Sequence, residues 1–61
     1  MTVIKINAED QTRYVASMDT ETREQIRNLL ILAELDNEDI DRAMDSRVCD
    51  LEDTIDIYYM K

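Results

Sequence analysis

The apolar positions of this chain change period several times. Near the N-terminus Ile4 and Ile6 alternate with Lys5 among β-branched neighbours, which predicts a short strand or extended arm over residues 1–7. Ala8, Gln11, Val15 and Met18 then share one face of a helix over 8–18, with Tyr14 beside Met18. Over 20–35, Ile26, Leu29, Leu30 and Ala33 recur at helical spacing, but Leu29–Leu35 is apolar on nearly every side apart from Glu34. One small core needs only one stripe per helix, so a segment greasy all round predicts a surface shared with a second chain. Ile26, Leu29, Leu30, Leu32 and Leu35 are the candidate self-association residues. Finally Ile40, Met44, Val48, Leu51, Ile55 and Tyr58 follow the straight α-helical period of about 3.6, predicting one helix over 37–60.

Side chains that accept hydrogen bonds from exposed helical amides mark the element starts: Asn7, Asp19 or Thr20, and Asp36 or Asn37. The fold expected is mainly α, a helical hairpin or three-helix domain with an N-terminal extended arm. Ile55–Tyr59 is β-branched and aromatic, and this leaves an α+β alternative: the N-terminal segment pairs, antiparallel, with residues 54–60. The helical form keeps Tyr58 in the core stripe and turns Ile57, Tyr59 and Met60 away from it, where they would make a partner hot spot or pack on residues 1–6.

Composition narrows the function more than the fold. The 61 residues contain no Gly, Pro, His, Trp or Phe, and one Cys. Helices joined by short polar loops tolerate the lack of Gly and Pro; tight hairpins do not. Without His, and with Cys49 alone, there is no zinc site, no disulfide framework and no activated nucleophile. Without Gly there is no phosphate-cradling loop. Neither a metal nor another cofactor is expected, nor enzymatic activity. No apolar run is long enough to span a membrane and no signal segment is visible, so a reducing, cytoplasmic setting is expected, that of a host cell if the chain is phage-encoded. A chain of this size is marginal alone, which also points to a homo-oligomer, a dimer or higher.

Charge is the most uneven property. Residues 1–33 hold five acids and four bases, net −1; residues 34–61 hold ten acids and three bases, net −7. On a continuous helix, Glu38, Asp41, Asp45, Glu52 and Asp56 would form one row, with Asp50 and Asp53 on the opposite flank. These carboxylates are the candidate partner-binding surface. They would attract a basic protein, one that handles nucleic acid included, and repel nucleic acid itself and anionic membranes. The function expected is a small acidic protein-binding inhibitor or modulator of the phage or plasmid type, mimicking nucleic acid. Two alternatives stand beside it: a homo-oligomeric structural or assembly protein whose acids only solubilise it, and an oligomeric nucleotide- or anion-sequestering protein. The last would use Arg13, Tyr14, Arg23 and Arg27 at a protomer junction, although nearby acids also offer these arginines local partners.

Overall fold

The structure is a computed structural model and describes residues 3–61, so the first two residues of the expected arm lie outside it. The chain runs through strand β1 (Ile4–Asn7), short 3₁₀ turns at Ala8–Asp10 and Val15–Ser17, helix α1 (Thr20–Leu32), helix α2 (Asn37–Met44), a third 3₁₀ turn at Val48–Leu51, and strand β2 (Ile57–Met60). β1 and β2 form a parallel pair in which Ile4 lies opposite Ile57 and Asn7 opposite Met60. The mainly α expectation is therefore overturned. The α+β alternative describes the architecture, but the pairing is parallel and not antiparallel. Parallel strands need a long crossover, and here both helices lie within it.

One core holds these elements together: Ile4, Ile6, Val15, Ile26, Leu29, Leu30, Ile40, Val48, Leu51 and Ile55, all buried. The strands follow a period of two. Ile4 and Ile6 face inward, and Ile57 and Tyr59 pack partly buried against the same cluster. Tyr58, placed in the core by the helical reading, is instead 59% exposed. Strand geometry puts residues 57 and 59 on one face and 58 and 60 on the other, which reverses the helical expectation for Ile57, Tyr58 and Tyr59 and keeps Met60 on the outer side.

Two of the three expected helices, 8–18 and 37–60, give way to tertiary pairing. The 8–18 segment is not a helix, because its backbone finds partners elsewhere in the chain. Val15 N–H donates to Ser46 O (2.9 Å), Val48 N–H donates to Arg13 O (2.9 Å), and Cys49 N–H donates to Gln11 O (3.0 Å). Tyr14 and Arg47 thereby form an antiparallel bridge. The same bridge ends the expected 37–60 helix at Met44: Ser46 Oγ donates back to Arg42 O (3.1 Å), and Arg47 is extended (φ −76°, ψ 155°). Of the predicted stripe, Ile40, Val48, Leu51 and Ile55 are nevertheless buried.

Both α-helices are capped as the sequence indicates. Asp19 accepts from Thr22 N–H (3.0 Å) and Asp36 from Asp39 N–H (2.9 Å). The Asp19 carboxyl is held below its ordinary range, chiefly by its bonds to Thr22.

α1 stops at Leu32 and not at Leu35. Glu34 N–H donates to Ile31 O (3.0 Å) and Leu35 N–H to Leu30 O (3.4 Å), the paired bonds of a Schellman motif. Leu35 folds back on the core. Glu34 takes the left-handed position with φ 66°, where a Cβ crowds the following carbonyl and glycine is the usual occupant. Glu34→Gly is therefore expected to stabilise the fold by about 1 kcal/mol. That corresponds to a rise in Tm of roughly 4–8 °C in a domain of this size. Thermal unfolding followed by circular dichroism checks it, and an unchanged or lower Tm contradicts it.

Of the residues expected to mediate self-association, Ile26, Leu29 and Leu30 are buried within the single chain at 8% exposure or less. Their apolar surface is used by their own core. Ile31 and Leu32 remain outside, at 51% and 71% exposed.

Candidate functional site

The acidic half has no continuous helical row. With α2 ending at Met44, only Glu38, Asp41 and Asp45 keep the spacing of one helix flank, Asp45 as the C-cap residue with helical dihedrals (φ −91°, ψ −6°). Asp50 lies in the third 3₁₀ turn and Glu52 caps its end, Asp53 follows in the next turn, and Asp56 precedes β2. The carboxylates are therefore gathered from several elements and do not form one ladder.

All ten carboxylates between Glu34 and Asp56 are exposed. Among the described residues only one of them, Asp39, lies within ion-pair distance of a cation, Arg42, at 3.8 Å. Both side chains are at least half exposed, so the pair adds little stability. Asp36 caps α2, Asp50 accepts from Arg47 N–H (3.2 Å), and Glu52 accepts from the Tyr59 hydroxyl (2.5 Å). Glu34, Glu38, Asp41, Asp45, Asp53 and Asp56 have neither an ion pair nor a side-chain hydrogen bond among the described residues.

Of the two arginines that sequence places among these acids, Arg42 makes the one ion pair and Arg47 is turned away from them. Arg47 donates through Nη1 to Thr12 O (2.5 Å) and through Nη2 to the Tyr14 hydroxyl (3.3 Å), and its guanidinium carbon sits 4.5 Å from the centre of the Tyr14 ring. It clasps the N-terminal half to the C-terminal half and, among the described residues, adds no ion pair to the acidic field. Sequence reasoning missed this clasp. Its signal is weak: an aromatic or cationic residue followed by valine, once at Tyr14-Val15 and again at Arg47-Val48.

The candidate anion-binding residues do not share one pocket. Arg13 donates to Asp10 (3.2 Å) and to Ser17 O (3.4 Å). It lines a concavity of about 260 Å³ with Lys5, where Asp10 and Asp19 balance the charge. Tyr14 is engaged with Arg47. Arg23 donates to Thr20 Oγ1 (3.2 Å), and its Nε is enclosed without a partner among the described residues. Arg27 lies exposed one turn further along α1.

Tyr59 ties β2 to the acidic half. Its hydroxyl is pushed well above the ordinary tyrosine range, first by burial, then by its bond to Glu52 and that carboxylate's charge. Cys49 is half-buried and unpaired with any other thiol.

Against this geometry, the comparisons with known proteins add no second source of inference: no family model, no curated protein and no solved structure matches the chain. Among the described residues no helix is long and apolar enough to cross a membrane.

Proposed function

We propose that the chain is a small protein-binding modulator that presents its acidic half to a basic protein surface. The observation that supports this reading is the set of exposed carboxylates between Glu34 and Asp56, of which one is ion-paired among the described residues. Like charges held together raise the free energy of the isolated fold. A cationic partner relieves that repulsion on binding, and the same field speeds its approach. Because the acids come from several elements, the complement is a basic patch or concave groove and not the evenly spaced track that a single carboxylate ladder would fit.

Binding of this kind is salt-sensitive. The side chains of Glu38, Asp41, Asp45 and Asp53 make no hydrogen bond or ion pair among the described residues, and the C-cap bonds of Asp45 run through its backbone, so neutralising them to Gln and Asn tests the surface. A basic protein captured from lysate by the wild type at low salt, released at high salt and not captured by the neutralised variant, is the expected result. Equal capture by both forms refutes the proposal.

A further inference from the structure

Beside the acidic half lies a surface of opposite character. The start of β1 and the outer side of α1 enclose a groove of about 230 Å³, lined by Val3, Ile4, Gln25, Asn28, Leu29 and Leu32. None of the six is charged, in a chain of which 36% of the residues are. Val3 is 47% exposed and Leu32 71% exposed, so the groove carries an apolar projection on its own rim.

We propose that a second copy of this chain docks here, α1 against α1, each Leu32 seated in the groove of the other. Two observations select this occupant. The surface holds both a knob and a hollow, which is the self-complementarity that a two-fold interface requires. It also belongs to the half of the chain whose net charge is −1, while the other half carries −7. Two copies of a −8 chain meet with least repulsion across an uncharged groove on that half, whereas a basic partner is drawn to the carboxylates. The small core supplies the incentive: ten buried residues among those described leave a marginal protomer, and association covers Leu32, which the protomer leaves in water.

The test is sedimentation equilibrium of the full chain across micromolar to millimolar concentrations, with circular dichroism as a check on folding. The wild type is expected to dimerise. Leu32→Glu is expected to weaken the dimer by about thirtyfold or more at unchanged helicity, as for a buried interface anchor. Because Leu32 is exposed, its replacement spares the core; should helicity fall all the same, Asn28→Glu, a polar exchange at an exposed position, must weaken the dimer in its place. Added salt is expected to strengthen the dimer by screening the repulsion between copies, the opposite of its effect on binding to a basic partner. A wild type that stays monomeric overturns the proposal, as does a dimer indifferent to both substitutions. Neither result bears on the acidic surface.

Discussion

Leu30→Ala is expected to remove most of the protein's stability at room temperature. Leu30 is fully buried where α1 meets the core, and Ile26, one turn before it, is buried to the same extent. Truncating such a leucine costs about 3 kcal/mol in lost transfer energy and residual cavity. A domain this small has only roughly 3–5 kcal/mol to lose. Leu32→Ala, two residues on, removes the same atoms from a side chain 71% exposed, and in the protomer it is expected to change stability by no more than about 0.5 kcal/mol. Urea unfolding of both variants at low protein concentration, followed by circular dichroism, separates them. Equal losses would mean that α1 is rotated from the orientation described.

The second large effect is at Tyr59. Its hydroxyl donates to Glu52 and joins β2 to the end of the third 3₁₀ turn. Tyr59→Phe is expected to cost about 1.5 kcal/mol at neutral pH, since the bond to a carboxylate is charge-assisted but Glu52 can rehydrate. The sign of its pH dependence follows from the upward shift of the phenol. Below the unfolded value near 10, both states hold the proton and the contribution is complete. Above it the unfolded chain releases the proton while the folded chain keeps it, so this group lowers stability by up to about 1.4 kcal/mol per pH unit. The phenylalanine variant lacks that slope. Its stability curve is expected to lie below the wild type at pH 7 and to meet it near pH 11 by this reckoning. Parallel curves between pH 9 and 11 would show that Tyr59 is solvated in the folded state.

What could be read from the sequence is what depends on near neighbours. Asp19 and Asp36 announce their caps because each accepts from an amide three residues on. The stripe through Ile40, Val48, Leu51 and Ile55 finds buried residues even though the helix it implied is broken. The pattern survives because a 3₁₀ turn returns to the same side every three residues, as Val48 and Leu51 do. What could not be read depends on distant partners. Nothing near Ser46 or Arg47 announces that Tyr14 will bridge there, and that bridge removes two expected helices at once. The strand alternative at 54–60 is visible in β-branched and aromatic residues, but its direction is set by the path of everything between the strands. The excess of acids is plain in the sequence; their arrangement in a row was an inference from a helix that ends at Met44.

The parallel pairing of β1 with β2 also fixes what a cut in the chain would do. The link between α1 and α2, around Glu34, is exposed and divides every layer. Cleavage there leaves one fragment with β1 and α1 and another with α2 and β2. Neither fragment has a strand partner within itself, since Ile4 pairs only across to Ile57 and Asn7 to Met60. Two such pieces hold together through the shared core and sheet or not at all. In the nicked protein folding becomes a bimolecular assembly, with a midpoint that moves with concentration and that dilution alone can reverse.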